Sequence, residues 1–317
     1  MGHWHADAIR RIGERVAYVV DQDIGRAELL AARCAPQTRP ARQLQDVSPG
    51  KSIDVVHVCT PLETHEMLIR QGLEAGCHVL CEKPLAETAE VTAELVSLAA
   101  ARGRVLCVTH QFLFQDGMQR AFAALPRIGP LLHVDLVACS AGAVGTFANR
   151  TDALIPEVLP HPLAIIARMF PGALADADWL VQHPRVGELR AMAQVDRTSI
   201  ALLVSAHGRP TLNWLRVIGE RGTLEVDLFH GYLVLERGAV SRLHKIAHPF
   251  TRSGKTLVAA STNLARRAAR REVAYPGLRE LTRRFYAAAR GQAAPPLSAR
   301  EIIDVARGQR ALTACLG

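Results

Sequence analysis

Residues 55–86 read VVHVCTPLETHEMLIRQGLEAGCHVLCEKPLA. Val55 to Cys59 form an apolar, β-branched run stopped by Pro61; apolar residues at helical spacing follow from Thr64 to Gly76; His78 to Glu82 make a second run stopped by Pro84. Continuous apolar strands around a helix of about ten residues predict a βαβ unit with parallel strands buried on both faces. The pattern continues on either side. RVAYVVD (15–21) reads as a strand and DIGRAELLAARCA (23–35) as a helix, while TAEVTAELVSLAAARG (88–103) reads as a helix and RVLCVTHQF (104–112) as a strand. The first domain, 1–115, is therefore α/β, with a doubly wound parallel sheet.

Beyond it the texture changes. In GTLEVDLFHGYLVLERG (222–238), Leu224, Val226 and Leu228 share one face and Thr223, Glu225 and Asp227 the other, the alternation of a strand half covered in an antiparallel sheet. DRTSIALLVSAHGRPTLNWLRVIG (196–219) reads as a hairpin turning at Gly208–Pro210. The chain finishes with helices in YPGLRELTRRFYAAARG (275–291) and LSAREIIDVARGQRAL (297–312), the second opened by a Ser298/Glu301 capping box. Residues 116–317 thus predict an α+β domain with a large, mostly antiparallel open sheet.

The 317 residues are 49% hydrophobic and 21% charged, enough apolar material for two domains. No run approaches 18 apolar residues and the first residues lack the order of a secretory signal, so the expectation is a cytoplasmic protein with no membrane partner. Seven cysteines without a CxxC pair predict reduced thiols rather than disulfides, and no metal site. The net charge of +8 owes much to Arg266, Arg267, Arg270 and Arg271. With no interleaved aromatics, that cluster gives no nucleic-acid signature; it is a solvated helix face or a dock for an anionic group. AGAVGTFANRTDALIPEV (141–158) and LHKIAHPFTRSGKT (243–256) read as substrate loops, the second basic enough to suit a diphosphate.

Ligands of a doubly wound sheet sit at the carboxyl ends of its strands. Asp21 closes one strand nineteen residues after Gly2, near the roughly 20-residue offset of a ribose-binding acid; it could equally cap the next helix. Gln22 and Asp23 supply no base for a 2′-phosphate, which favours NAD over NADP. Cys59-Thr60-Pro61 and Glu82-Lys83-Pro84 close two further strands. Taken in order, GHWHADAI (2–9), VVD (19–21), residues 55–86, VLCVTHQFLF (105–114) and IGERGTLEVDL (218–228) resemble the Gfo/Idh/MocA family of nicotinamide-dependent oxidoreductases.

The resemblance implies a Rossmann-like first domain and a set of cofactor contacts: Gly2 as the last glycine of the phosphate loop, His5 after it, Asp21, Thr60, Pro61 and His65, then Glu82, Lys83 and Pro84, with Gln111 at the passage between domains. It implies catalytic roles for Lys83, for His161 and for Glu157, whose four-residue spacing puts the last two on one helix face provided Pro160 and Pro162 leave the helix intact. His161 could equally be an ordinary helix-start histidine. The implied reaction transfers a hydride between NAD and a secondary alcohol or ketone of a sugar, cyclitol or nucleotide-linked sugar, in a dimer or tetramer. Two alternatives stay open: a non-catalytic or cofactor-deficient member acting as a binding subunit, and a reductase of a non-carbohydrate carbonyl or imine. The family's first strand and first two loop glycines have no counterpart before Gly2, so the chain reads as shortened relative to a working protein or as one that has lost tight cofactor binding.

Overall fold

The structure is a computed structural model that describes residues 1–47, 53–139, 152, 154–238, 242–272, 274–314 and 316. In chain order the elements are α1 (Gly2–Arg11), β1 (Tyr18–Val20), α2 (Ile24–Cys34), β2 (Arg39–Ala41), β3 (Val55–Val58), α3 (His65–Glu74), β4 (His78–Cys81), α4 (Ala89–Ala101) and β5 (Leu106–Val108). They are followed by α5 (Asp116–Ala124), β6 (Leu131–Cys139), α6 (Leu154–Val158), α7 (Pro160–Met169), α8 (Ala173–Asp176), β7 (Leu180–Arg185), β8 (Glu188–Val195) and β9 (Thr198–Ser205). Last come β10 (Leu212–Gly219), β11 (Gly222–Asp227), β12 (Tyr232–Arg237), α9 (Arg242–Ala269), α10 (Leu278–Ala289) and α11 (Ala299–Thr313). The chain divides into two compact units, Met1–His110 with Leu278–Ala306, and Gln111–Gly277 with Arg307–Gly317.

In the first unit every strand pairing is parallel, β1 with β2 in one sheet and β3–β4–β5 in another. Val58, Val79, Leu80, Cys81, Leu106, Cys107 and Val108 are all buried, as continuous apolar strands between helices must be. The helix starts are chemical: Asp23 accepts from the Gly25 and Arg26 amides at the head of α2, and Thr88 from Val91 at the head of α4. Strand β2 lay hidden in the sequence because it is three residues long and holds Pro40. Proline is tolerated there because β2 bonds to one neighbour only. The sequence reading placed all of 116–317 in the second domain, but α10 packs in the first unit. Phe285 meets the His57 ring edge-on at 6.2 Å, Arg279 Nη2 donates to the Arg11 carbonyl at 3.2 Å, and Arg290 pairs with Glu14.

The second unit carries a seven-stranded sheet in the order β12-β11-β10-β6-β9-β8-β7, antiparallel except for β6 beside β9. Its inner face, including Val134, Leu136, Ile200, Leu202, Leu215, Val217, Leu224 and Val226, is buried. The expected hairpin over 196–219 is not formed. Strands β9 and β10 are separated by β6, which pairs with both. Their link turns at Gly208 but passes over the end of β6, so closely that a Cβ at residue 208 would lie 2.6 Å from the Cys139 Cβ. Local turn chemistry is the same for a hairpin and for a turn that clears a third strand, so the sequence could not separate them. Residues 243–256 are likewise helix rather than loop, forming the first half of α9 despite Pro249 and Gly254. The other expected loop, 141–158, lies largely outside the described residues. The capping box of α11 is present, with Ser298 N–H donating to Glu301 and Glu301 N–H to Ser298 Oγ.

Candidate functional site

The carboxyl ends of the parallel strands carry the residues singled out above. Glu82 follows β4, is buried, and accepts from His5 Nε2 at 2.8 Å. His5, in the second turn of α1, has its other ring nitrogen 2.9 Å from His57 Nδ1, and His57 Nε2 lies 3.3 Å from the Tyr286 hydroxyl. A carboxylate can only accept, so a doubly protonated His5 donates to Glu82 on one side and to a neutral His57 on the other, leaving the His57 Nε2–H for Tyr286. Burial opposes the charge on His5, but the Cys59 sulfur and the Glu82 carboxylate outweigh it and the ring is pushed up to about 10. Burial and then the charge on His5 hold His57 well below the ordinary histidine value. Neither His57 nor Tyr286 was foreseen. A histidine inside VVHV has no periodic signature, and Tyr286 stands 229 residues away from it.

A second histidine braces the same turn from the other side. His65 opens α3 and is buried, with Nδ1 2.9 Å from the Pro84 carbonyl and Nε2 2.9 Å from the Thr60 carbonyl. It ties the turn after β4 to the turn after β3, where Thr64 Oγ1 donates to Thr60 Oγ1 and Pro61 precedes a short 3-10 turn. Lys83, between Glu82 and Pro84, is partly exposed between these two clamps. Asp21 follows β1 and accepts the Asp23 amide at 2.9 Å, while Asp23 itself caps α2. The cap role considered for Asp21 thus belongs to Asp23. Gly2 opens α1, and a Cβ there would meet only Leu30 Cδ2 at 3.6 Å.

In the second unit, Gln111 is the first residue and is buried. The next residue, Phe112, stacks on the His161 ring with centroids 4.5 Å apart. Glu157 and His161 do not share one regular helix: Glu157 is exposed in α6 and His161 is the second residue of α7. The prolines are the cause. Pro160 has no amide for the Pro156 carbonyl and Pro162 none for Val158, yet Leu159 keeps helical angles, so the path continues while the ladder is interrupted. Gln309 Nε2 takes over the Pro156 carbonyl at 3.3 Å. Among the arginines, Arg266 pairs with Asp116 at 3.2 Å and Arg267 donates to the carbonyls of His230 and Glu272.

The donor chemistry at the strand ends of the first unit fits a nicotinamide dinucleotide: an acid after β1 for ribose hydroxyls, a threonine and proline after β3, a lysine held in a braced turn after β4, and the first-turn amides of α1 for an anion. Among the described residues no group of three or more metal-ligating side chains comes together, and no helix is long and apolar enough to cross a membrane. The six described cysteines are free thiols.

Residues 1–110 match the family model described as oxidoreductase family, NAD-binding Rossmann fold. Inositol 2-dehydrogenase of Rhodococcus erythropolis is 39% identical over 124 residues, 38% of this chain and 34% of that protein. Mouse biliverdin reductase A is 45% identical over 73 residues, 23% of this chain and 25% of that protein. The matches to these curated relatives thus span only a quarter to a third of their length. The fold extends further. A UDP-N-acetylglucosamine 3-dehydrogenase from Acidithiobacillus ferrooxidans superposes with TM-score 0.74 at 16% identity, covering 99% of this chain and 93% of that one. The WlbA dehydrogenase of Bordetella pertussis, in complex with NADH and UDP-GlcNAcA, does so at 0.70 and 17%, covering 95% and 88%.

Proposed function

We propose that this chain, whose first 110 residues match the Gfo/Idh/MocA oxidoreductase family model, is an NAD-dependent dehydrogenase that moves a hydride between nicotinamide and a secondary alcohol or ketone of a sugar, cyclitol or nucleotide-linked sugar. The observation that carries this reading is the double clamp on the Glu82–Lys83–Pro84 turn, with His5 on the Glu82 side and His65 on the Pro84 side. A lysine fixed by such neighbours meets its ligand without first being ordered. The names of the relatives, an inositol dehydrogenase and a UDP-sugar dehydrogenase, support the substrate class.

Nicotinamide, when bound, supplies the site that gives or takes the hydride. The remaining work falls to side chains. The Lys83 ammonium binds the substrate oxygen and stabilises the negative charge that develops on it. His161 takes or returns the hydroxyl proton, the role an imidazole fills in general acid–base catalysis, and its stacking on Phe112 holds the ring in place. Glu157 grips a neighbouring hydroxyl. Asp21 accepts from the adenosine ribose, and with Asp23 two residues on it repels a 2′-phosphate.

Calorimetric titration with NADH and NADPH, followed by turnover assays on inositols, free sugars and UDP-sugars, tests the reading. NADH is expected to bind at least about tenfold more tightly than NADPH, and Lys83→Met to lower kcat by on the order of a thousandfold with NADH affinity little changed. If neither nucleotide binds, or if Lys83→Met turns over like the wild type, the proposal is wrong.

A further inference from the structure

Nothing in hydride transfer calls on the arginines at the end of α9. Arg266, Arg267 and Arg270 line one surface cavity together with Gln115, Asp116 and Glu272. Its whole wall belongs to the second unit, and no residue of it is among those that serve cofactor or substrate. Counted with the solvent at its mouth, the cavity holds about 280 Å³, below the size of sites that enclose drug-sized organic ligands, so its occupant is small.

The charge around it is one-sided and held in place. Arg267 Nε donates to the Glu272 carbonyl at 3.3 Å and Nη1 to the His230 carbonyl at 3.1 Å, which also accepts from Asn263 Nδ2 at 2.9 Å. Arg266 Nη1 bonds Asp116 at 3.2 Å, one use of the five N–H groups that a guanidinium carries. Arg120 shares Asp116 at 3.3 Å, so four guanidinium groups stand against the carboxylates of Asp116 and Glu272. Arg266 and Arg270 are one helical turn apart, where like charges repel and an anion between them relieves the repulsion. Gln115 and Asp116 are the cap and the first residue of α5, which puts the positive end of that helix at the same wall. The carbonyls of Arg266, Arg267 and Ala268 at the negative end of α9 accept from the amides of Arg270, Glu272 and Arg271.

Positive charge alone would take any anion; Gln115 narrows the choice. It is 1% exposed, and its Nε2 donates to the Leu228 carbonyl at 2.9 Å, a partner that can only accept and so fixes which way the amide lies. Its Oε1 accepts from nothing among the described residues. A buried acceptor without a donor is costly, and an anion that relieves this cost must bring a proton. Sulfate and simple carboxylates have none to bring at neutral pH. Hydrogen phosphate accepts on three oxygens and donates from the fourth, and its double charge matches the excess of guanidinium groups.

We propose that this cavity binds inorganic phosphate, gripped by Arg266, Arg267 and Arg270 and selected by the side-chain oxygen of Gln115. Five non-hydrogen atoms limit the affinity to the low micromolar range at best. With the Arg266 side chain 52% exposed, Kd is about 0.1–1 mM.

Calorimetric titration of the full chain with sodium phosphate at neutral pH and constant ionic strength tests it, with sulfate and bicarbonate run alongside. Phosphate is expected to bind at least about tenfold more tightly than either. Arg266→Gln and Arg270→Gln should each weaken it about tenfold, whereas Arg271→Gln, the same charge change on the next residue, should stay within about twofold of the wild type. Gln115→Met should erase the preference for phosphate over sulfate; if that variant does not fold, the comparison of the two ions on the wild type reads the same contact. Absence of phosphate binding at about 10 mM overturns the proposal. Sulfate or bicarbonate bound as tightly as phosphate overturns it too, as does phosphate binding that both arginine variants leave unchanged.

Discussion

Replacing Glu82 with glutamine isolates the charge held in the His5–Glu82–His57–Tyr286 network. His5 stands near 10 in the folded chain, against an ordinary 6.5, so above pH 6.5 the folded state keeps a proton that the unfolded state releases. The stabilisation is complete below pH 6.5 and is lost as pH rises toward 10. Integrated from pH 6 to pH 9, the loss is on the order of 3 kcal/mol. His57 acts on the other limb: kept neutral by burial and by the charge on His5, it costs stability as pH falls below 6.5, where the unfolded chain gains the proton that the fold refuses. The network therefore contributes most near pH 6.5.

In Glu82→Gln the buried imidazolium loses its carboxylate partner and keeps only the Cys59 sulfur. Removing one member of a buried pair costs about 4 kcal/mol, and His5 escapes that only by becoming neutral. A neutral His5 still donates Nε2–H to the new amide, but its Nδ1 lone pair then faces that of His57. His57 must shift its proton to Nδ1 and accept from Tyr286 instead. The variant should trail the wild type by up to about 4 kcal/mol at pH 6 and by about 1 kcal/mol or less at pH 9, the gap closing because the wild type holds more of the charge that rising pH removes. Urea unfolding of both proteins at four pH values measures the gap, and NMR of 15N-histidine reads the protonation of His5 directly. A gap that stays constant with pH, or a neutral His5 in the wild type at pH 7.5, refutes the reasoning.

Other perturbations have equally definite outcomes. Gly277 has φ +92°, and a Cβ there would run into the Gln111 carbonyl, so Gly277→Ala should cost more than about 2 kcal/mol in thermal unfolding. Gly208→Ala should cost roughly 1–3 kcal/mol through its collision with Cys139, and Cys139→Gly should return part of it. Burial pushes the Asp152 carboxyl up, but hydrogen bonds from Gly187 N–H and His183 and the charge of His183 hold it below the ordinary range. Its contribution is present above the unfolded value of about 3.9 and fades as pH falls through the lower folded value, so Asp152→Asn should flatten that acid limb. Arg252→Ala should cost under about 1 kcal/mol despite its short bridge to Glu225, because the arginine side chain is 39% exposed.

How much of this was legible in the sequence depends on the range of the interaction that fixes each part. The βαβ core was readable because a strand buried on both faces declares itself as an unbroken apolar run, and the 55–86 stretch holds two of them around one helix. The Ser298/Glu301 cap was readable for the same reason, since both partners lie within one turn. Strand β2 was not, because three residues around Pro40 acquire strand geometry only beside β1. The position of β6 between β9 and β10 was not, because pairing across some 60 residues leaves no mark on the turn at Gly208.

The candidate site divides along the same line. Residues that follow a strand, such as Asp21, Thr60 and Lys83, are found by asking what an apolar run ends on. Side chains that hold those residues in place come from elsewhere: His5 from α1, His57 from within β3, Tyr286 from α10. Nothing in VVHV says whether its histidine faces water, a ligand or another ring; only the arrival of α1 and α10 over β3 makes it the neutral relay between a charged His5 and a tyrosine. The same holds in reverse for α9. Its basic residues and its proline and glycine suggested a loop exposed to substrate, while the acids that turn those bases inward, Glu225 and Glu236, lie earlier in the chain on β11 and β12. Once the polar side is spoken for, a pattern that looked like a binding loop becomes a helix that leaves its apolar side outward.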